Sequence, residues 1–389
     1  MKHGWEYKQI MDVGKVVTGS TPPTSDKQNY TSNDVCFVKP SDIGQDGITD
    51  IQETEFHISE YAYNNTNRKL PKGSVLVTCI GIIGKVGILT KEATCNQQIN
   101  AVIPNSTIMP RYLAYCIYSI RKALQDKANA PVVPILNKGQ FSSFQIPVPP
   151  LPVQQQICSL LDKLSRVIEA KKEQLKELDN LAQSIFYDMF GDPITNDKGW
   201  GVKRFDQVGE LQRGGGFLKS DFVVNGVPCI HYGQIHMKFG RFIKRHLTEI
   251  PESVAAKSKT AKKGDVILAI TSEAVEGSCK CTAWMGDYDV YVGAHTAIFK
   301  HNLDPIYVSY YIMSSGFQRD KERYVHGIKV MEIKPSDIGT INILVPPLPL
   351  QQSFAEQVEA IERQKELINQ SIREVQTLFD SRMDYWFSD

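Results

Sequence analysis

The chain has 389 residues, of which 42% are hydrophobic and 22% charged, and its net charge is +1. This length allows two ordinary domains with full cores. No apolar stretch is long enough to span a membrane, and the N-terminus lacks the apolar segment of a signal peptide. Eight cysteines without a C-x-x-C pair make a zinc or disulfide framework unexpected and favour a reduced, cytoplasmic setting.

The first predicted globular block, residues 1–150, combines strands with helices. A loop of small residues runs from Thr18 to Pro23, and a turn at Lys72-Gly73 precedes an apolar run typical of a buried strand. The glycine-rich segment 81–87 looks superficially like a nucleotide loop, but a turn between strands explains it better because no helix follows. An amphipathic helix is predicted over Arg111–Leu124.

The next segment, residues 151–193, predicts a long helix. It follows the sequence PPLPVQQQ, extends from Gln154 to Phe190, and stops at Gly191 and Pro193. Its apolar residues alternate steps of four and three, which is typical of a coiled-coil seam. They are Ile157, Leu161, Leu164, Ile168, Leu175, Leu178, Ala182, Ile185 and Met189.

The second half, a block over 194–347 and a helix over 348–389, repeats this layout 197 residues later. The sequence PPLPLQQS introduces the second helix, and Lys263-Gly264 precedes a buried strand as Lys72-Gly73 does. A helix is predicted over Pro305–Tyr324. The apolar positions of the second long helix match those of the first in register, which indicates an internal duplication. They are Phe354, Val358, Ile361, Ile368, Ile372, Val375, Phe379 and Trp386.

Connectivity predicts how the two helices pair. The first ends where the second block begins and the second leaves that block, so helices that pair with each other must be antiparallel. Their midpoints place Lys171 beside Gln370 and Lys365 beside Leu175, with Glu169, Glu173 and Glu366 as nearby carboxylates. The predicted fold class is α/β (α+β): two similar β-rich globular domains separated by two long antiparallel coiled-coil helices, with a pseudo-two-fold internal repeat.

The net charge of +1 hides a partition between the blocks and the helices. Residues 1–150 and 198–347 together carry +8, whereas segments 151–197 and 348–389 carry −7. Basic residues also cluster in the second block, around Lys203-Arg204, around Arg241 and at Lys262-Lys263. Clusters of this kind are typical of phosphate-binding surfaces.

These features together resemble the specificity subunits of type I restriction–modification systems. The resemblance rests on the tandem halves, the VPPLP-x-QQ sequence before each long helix, the Phe190-Gly191-Asp192-Pro193 exit and the Gly19-x-x-Pro22 loop. It implies two target recognition domains, each reading one half of a bipartite, asymmetric DNA site, and helices that set the gap. The second block departs from the pattern by having Arg213-Gly214-Gly215-Gly216, so transfer of contacts there is not expected loop by loop.

The resemblance also implies partners: double-stranded DNA, two modification (methyltransferase) subunits and ATP-dependent restriction (nuclease) subunits, but no membrane. No phosphate-binding loop, amino-methyltransferase tetrad or metal-ligand spacing is found. We therefore expect a non-catalytic subunit without cofactor or metal, with S-adenosylmethionine and ATP on the partners. Two alternatives stay open: a coiled-coil adaptor that docks proteins without DNA specificity, and a stand-alone DNA enzyme.

Polar loop side chains are the candidates for reading base edges, while lysines and arginines supply phosphate contacts. In the first block the predicted DNA-binding residues are Thr18, Ser20, Thr21, Lys39, Ser41, Lys85, Gln97 and Gln98. In the second block they are Arg213, Lys219, His231, Tyr232, Gln234, Ser272, Lys280 and His295.

Overall fold

The structure is a computed structural model that describes residues 4–128 and 133–388. It divides into two compact units. Unit 1 comprises Met1–Lys172 and Asn369–Asp389, and unit 2 comprises Glu173–Ile368. Each long helix therefore contributes one part to each unit. None of the helices in the described ranges combines the length and the apolar character needed to cross a membrane.

Unit 1 contains the first β-rich domain. Its strands are β1 (Glu6–Gln9), β2 (Gly14–Thr18), β3 (Val35–Val38), β4 (Ile48–Ile51), β5 (His57–Ile58), β6 (Val75–Thr78), β7 (Val86–Leu89), β8 (Ala93–Cys95), β9 (Ile99–Pro104) and β10 (Gln145–Val148). Its helices are α1 (Ile10–Val13), α2 (Glu60–Asn65), α3 (Pro110–Ser119), α4 (Arg121–Lys127), α5 (Lys138–Ser142) and the first part of α6 (Leu151–Phe190).

The core of this domain lies on both faces of a five-stranded sheet with the order β2-β9-β6-β7-β4. Along β6, Val75 and Val77 belong to the cluster that includes Tyr112 of α3, while Leu76 belongs to a second cluster. Alternate residues of a strand point to opposite faces, so a wholly apolar strand is buried on both. A three-stranded sheet, β5-β3-β8, and the antiparallel pair β1-β10 complete the domain.

Unit 2 contains the second domain. Its strands are β11 (Gly201–Arg204), β12 (Gly209–Arg213), β13 (Val227–Ile230), β14 (Phe242–Ile243), β15 (Thr248–Ile250), β16 (Lys259–Ala261), β17 (Val266–Ala269), β18 (Thr271–Ser272), β19 (Cys281–Trp284), β20 (Val290–Val292), β21 (Thr296–His301), β22 (Met331–Glu332) and β23 (Asn342–Val345). Its helices are α7 (Phe205–Val208), α8 (Tyr232–Met237), α9 (Glu252–Ala255), α10 (Pro305–Ile312), α11 (Ser315–Lys321), α12 (Pro335–Thr340) and part of α13 (Leu348–Phe387).

The sheets of the second domain repeat those of the first. The order β12-β21-β17-β19-β14 corresponds strand by strand to β2-β9-β6-β7-β4, and β15-β13-β20-β16 extends the three-stranded sheet by one strand. The predicted strands after Lys72-Gly73 and Lys263-Gly264 are β6 and β17, and segment 81–87 joins β6 to β7 as a turn. The predicted duplication of the fold is confirmed.

The two other predicted helices are broken. The segment predicted as one helix over Arg111–Leu124 forms α3 and α4, which meet at Ile120. The segment Pro305–Tyr324 forms α10, α11 and a 3₁₀ turn. In α10 nearly every side chain is buried, and the helix ends at Met313, directly before Ser314, the N-cap residue of α11.

The long helices α6 and α13 each have 40 residues. Helix α6 starts three residues before Gln154, its predicted first residue, whereas α13 starts at Leu348, the first residue of the segment predicted for it. Pro152 and Pro349 stand second in α6 and α13, where a missing backbone N–H removes no hydrogen bond, so the helix begins before the proline. The first helix stops at Gly191, whose φ of +77° favours glycine.

A buried glutamine fixes the start of each long helix to its own domain. Gln154, fully buried, accepts a hydrogen bond from Met109 N (2.9 Å) and donates to Thr107 O (3.0 Å) and Pro149 O (2.8 Å). Gln351, 1% exposed, accepts from Asp304 N (2.9 Å) and donates to Pro346 O (2.8 Å). These contacts explain why the same glutamine follows the proline-rich sequence in both halves.

Within unit 2 the helices α6 and α13 run antiparallel, as predicted. The predicted register places Phe186 opposite Ala355, and its ring centroid lies 5.7 Å from that of Phe354. Lys365 Nζ contacts Asp179 Oδ1 and Glu362 Oε1, each at 2.7 Å. The sequence offered Glu169, Glu173 and Glu366 as carboxylates for Lys171 and Lys365. For Lys365 this expectation was wrong, because the lysine contacts Asp179, one turn beyond Leu175 on the partner helix, and Glu362 on its own helix.

Candidate nucleic-acid interface

The predicted DNA-binding residues of the first domain lie at one edge of its two sheets. This edge contains the ends of β2, β3, β6 and β8 and the starts of β7 and β9. A glycine turn forms it: Gly19 N donates to Ile99 O (3.0 Å) and Ser20 N donates to Cys95 O (2.9 Å). A Cβ at Gly19 would lie 2.1 Å from Asn96 O, so only glycine permits this approach. We call this region the glycine-turn edge.

The second domain has the same edge, built by the same hydrogen bonds. Gly214 N donates to Thr296 O (2.9 Å) and Gly215 N donates to Val292 O (2.8 Å). A Cβ at Gly214 would lie 2.1 Å from Gly293 O. The sequence Arg213-Gly214-Gly215-Gly216 therefore keeps the turn of the first domain although it lacks the proline, and the backbone equivalence is closer than the sequences indicate.

Side chains at the first glycine-turn edge contact one another. Thr21 Oγ1 donates to Gln97 Oε1 (2.7 Å), and Asn96 Nδ2 donates to Gln98 Oε1 (2.8 Å). Thr18 Oγ1 donates to Asn100 Oδ1 (2.7 Å) at the base of the turn. These bonds order the amide and hydroxyl groups that the edge presents.

Lys39 and Ser41 extend the first edge. The Lys39 ammonium lies 2.9 Å from the ring centroid of Phe56, a cation–π contact. Ser41 is exposed in a 3₁₀ turn, Pro40–Asp42, whose start is capped by Asp42 Oδ2 accepting from Lys39 N (2.7 Å). Both residues therefore stand on an ordered turn at the end of β3.

At the second glycine-turn edge, histidine and tyrosine rings form a cluster. The Tyr232 ring centroid lies 4.5 Å from that of His231 and 5.1 Å from that of His295. Burial lowers the pKa of His231, and the charges of His295 and Lys219 lower it further, which places Lys219 in the electrostatic environment of the cluster. A half-buried neutral imidazole can both accept and donate a hydrogen bond.

Arg213 leads into the second glycine turn. Its Nη2 pairs with Glu332 Oε1 (2.7 Å), and its Nε donates to Ala294 O (3.4 Å). Glu332 stands opposite Thr271, the neighbour of Ser272, on the β18-β22 ladder. The exposed guanidinium is thereby held in one orientation beside the edge.

Lys85 and Gln234, two of the predicted DNA-binding residues, hold neighbouring loops with their polar atoms. Lys85 Nζ donates to Pro40 O (3.0 Å) and Ile43 O (2.9 Å), which holds the turn that carries Ser41. Gln234 accepts from His231 N and donates to Thr248 Oγ1 (2.9 Å). We assign both residues to positioning of neighbouring loops.

The predicted DNA-binding residues of both domains differ in exposure. Those exposed are Thr21, Ser41, Gln97, Arg213, Lys219 and His295. Those half-buried are Thr18, Ser20, Lys39, Lys85, Gln98, His231, Tyr232, Gln234, Ser272 and Lys280. The exposed group is the one that can contact DNA without rearrangement.

The structure adds Arg68, which the sequence did not single out, and a cleft beside Arg241, a residue that the sequence placed only in a basic cluster. Arg68 Nη1 donates to Thr18 O (3.0 Å) and Gly19 O (2.6 Å) and so holds the first glycine turn from 50 residues away in sequence. In unit 2, Arg241 and His236 line a cleft of about 480 Å³ together with Lys280 and Lys365. Both depend on long-range packing, which a single sequence does not reveal.

The chain is similar to several known proteins. Residues 2–180 match the family model of the type I restriction modification DNA specificity domain. A type I restriction enzyme specificity subunit of Methanocaldococcus jannaschii, MjaIX, is 25% identical over 376 residues, covering 92% of this chain and 86% of the relative. The HindI specificity subunit of Haemophilus influenzae is 32% identical over 178 residues, covering 43% of this chain and 38% of the relative.

Solved structures share the fold over nearly the whole chain. A chain from a study of complex assembly and conformational transition of the type I R-M system has a TM-score of 0.57 at 17% identity and covers 99% of this chain and 97% of its own. The type I restriction-modification S subunit from M. genitalium has a TM-score of 0.55 at 11% identity, covering 99% of this chain and 96% of its own. At these identities the likeness concerns the fold.

Proposed function

We propose that this chain, which belongs to the specificity subunits of type I restriction–modification systems, reads a bipartite DNA sequence with its two glycine-turn edges. Each edge would contact one half-site. Because the two edges carry different side chains, the two half-sites would differ in sequence, and the helices α6 and α13 would set the gap between them.

One observation carries this proposal: the same backbone turn recurs in both domains and presents different polar groups. The first edge offers amides and hydroxyls, such as Gln97 and Thr21, whereas the second offers imidazoles and cations, such as His295 and Lys219. Amides suit adenine, while an imidazole N–H can donate to the acceptors of guanine. Two domains that read different DNA sequences require the same backbone with different polar side chains at the edge that contacts DNA.

The charge partition supports the same function. The domains carry the positive charge and the helices the negative charge, so DNA is attracted to the domains. We assign Lys219 and Arg213 to the positioning of the second domain on phosphates, since both are exposed at the edge. Base reading would then fall to the neighbouring ring cluster.

We further propose that the chain itself transfers no methyl group and cleaves no DNA. It would act in the cytoplasm with two modification subunits, which would bind S-adenosylmethionine, and with restriction subunits, which would bind ATP. The support is the lack of the corresponding sequence motifs. Methyl transfer by the highly purified chain alone would contradict this part of the proposal.

The decisive experiment maps methylated sites in DNA exposed to this chain together with its modification subunit. Lys219→Ala should weaken binding to all sequences and lower the slope of log affinity against log salt by about 1. His295→Ala should instead relax the preference at one or two bases of a single half-site. Lys122→Ala, an exposed lysine on α4, is the matched control and should change neither. Equal effects of the two edge substitutions would refute the assigned roles.

Exchange of residues 198–347 for the matching block of a relative tests the modular arrangement. Only one half-site should change. A change of both half-sites, or of the gap alone, would contradict the assignment of one reader to each domain.

The alternative of a protein-docking coiled-coil adaptor explains the helices but not the charge partition. Binding of the chain to random duplex with a salt slope separates the two functions, because an adaptor without DNA specificity should show none.

A further inference from the structure

We propose that the first domain binds one zinc ion through Cys36, Glu53 and His57. The metal would join β3, β5 and the segment after β4, directly below the part of the glycine-turn edge that carries Lys39. This inference does not depend on the proposed DNA-reading function.

The three side chains come from different segments and converge through strand pairing. Cys36 of β3 stands directly opposite His57 of β5 in the antiparallel ladder. Glu53 lies four residues before His57 and reaches the same point. Among the described residues this is the one group of three potential ligands whose donor atoms all lie within 4.8 Å of one another.

The distances fit one face of a zinc tetrahedron. Cys36 Sγ lies 3.8 Å from His57 Nε2 and 3.7 Å from Glu53 Oε2, and His57 Nε2 lies 3.2 Å from Glu53 Oε2. Zinc bonds of about 2.3 Å to sulfur and about 2.0–2.2 Å to nitrogen and oxygen, at tetrahedral angles, give separations of about 3.6, 3.6 and 3.4 Å. The two distances to sulfur would shorten by about 0.1–0.2 Å and the distance from nitrogen to oxygen would lengthen by about 0.2 Å to match this triangle.

The burial of the three donors also suits a metal. Cys36 is 3% exposed, the His57 side chain 21% and the Glu53 side chain 69%. The soft sulfur ligand is thus shielded, while the carboxylate side stays open to solvent for a fourth ligand such as water. Thiolate, imidazole and carboxylate form a donor set that zinc accepts.

The cluster already attracts a cation. Lys91 Nζ lies 2.5 Å from Glu53 Oε1. The Lys91 side chain is 47% exposed, so its ammonium can move into solvent when a divalent ion binds Glu53 in its place.

The second domain lacks the thiol and imidazole ligands at the corresponding positions. The ladder that corresponds to Cys36 opposite His57 is β13-β15, where Pro228 stands opposite Glu249. Neither a thiol nor an imidazole occupies these two positions, so the site belongs to the first domain. The expected stoichiometry is one ion per chain.

The role we assign to the metal is to stiffen the first edge. Lys39 follows Cys36 by three residues, and Phe56, whose ring contacts the Lys39 ammonium, directly precedes His57. A bond between Cys36 and His57 through zinc would fix both supports of Lys39 at once.

The test uses the purified full chain, stripped with a chelator and titrated with Co²⁺ as a spectroscopic probe for Zn²⁺. One Co²⁺ per chain should bind, with a thiolate-to-cobalt charge-transfer band that added Zn²⁺ abolishes. Cys36→Ser should remove the band, while Cys229→Ser, a buried cysteine of the second domain, should keep it. Wild-type chain that binds no cobalt, or binds it without the band, overturns the proposal, as does a band that persists in Cys36→Ser.

Two substitutions at exposed positions keep the test decisive if Cys36→Ser fails to fold. Glu53→Gln removes a ligand without touching the core and should weaken zinc binding by at least about tenfold, since even loss of an outer partner costs about 10- to 100-fold. Lys91→Gln removes the competing ammonium and should tighten binding about two- to fivefold, the worth of a surface ion pair. Unchanged affinity in both variants would refute the site.

Discussion

Replacement of Gln154 by leucine should destabilise unit 1 strongly, although the change keeps the shape of the side chain. The substitution leaves the N–H of Met109 and the carbonyls of Thr107 and Pro149 without their partner in a fully buried place. One unsatisfied buried group costs about 1–3 kcal/mol, and carbonyls with a second acceptor site cost less than an N–H. We expect a loss of about 3–5 kcal/mol for Gln154→Leu and about 2–4 kcal/mol for Gln351→Leu, which loses two bonds.

Urea unfolding and residue-resolved hydrogen exchange measure this effect. The amide of Met109 should lose protection in Gln154→Leu and the amide of Asp304 in Gln351→Leu. The matched controls are Gln155→Leu and Gln352→Leu, which change the exposed neighbours in the same motif and should stay within about 0.5 kcal/mol. If Gln154→Leu were as stable as Gln155→Leu, the buried amide would not anchor the helix.

The remaining predictions concern unit 2. Gly214→Ala should lower the free energy of unfolding by about 1–3 kcal/mol, because its Cβ would lie 2.1 Å from Gly293 O. Gly216→Ala, whose Cβ would have nothing within 4 Å, is the control and should leave the free energy of unfolding unchanged. Equal stability of both variants would contradict the glycine turn. Burial holds the pKa of His301 at about 4, below its ordinary 6.5, so the unfolded chain takes up the proton first. Unfolding free energy should therefore fall as the pH drops from about 6.5 to about 4, by up to ~3 kcal/mol, and His301→Leu should remove that part of the slope. Lys365→Leu should leave unfolding free energy unchanged or raise it by up to about 1 kcal/mol, because Asp179 stays solvated; a loss above about 1 kcal/mol would show that the ion pair is needed for stability.

The sequence predicted correctly those features that local periodicity determines, namely the buried positions of the long helices. The seam positions of both long helices are buried or half-buried, from Ile157 in α6 to Phe379 in α13, because a 3.5-residue repeat places them on one face. Lys365, which the predicted register places beside Leu175 of the first helix, lies half-buried among carboxylates. Burial alone would lower the pKa of Lys365, but its hydrogen bonds to Asp179 and Glu362 raise it.

Long-range pairing determines what the sequence could not predict. Lys85 looked like a base-contacting cation, yet its ammonium holds the carbonyls of Pro40 and Ile43, about 40 residues away in the chain. The juxtaposition of Cys36 and His57 depends on the register of β3 against β5, and a slip of one residue would turn the cysteine to the other face. Neither contact leaves a local pattern in the sequence.

The residues that match between the two domains have close or buried partners, whereas the residues that differ at the edges are exposed. Gly19 and Gly214 are constrained by backbone atoms close by, and Gln154 and Gln351 by buried partners, so each pair is the same residue in both halves. The exposed positions of the glycine-turn edges face no such constraint, since a surface side chain can change with little effect on folding. Duplication of one domain, followed by substitutions at these exposed positions, would give two domains of the same fold that read different DNA sequences. The side chains that differ between the edges are therefore where DNA specificity should lie, while the residues that match hold the fold.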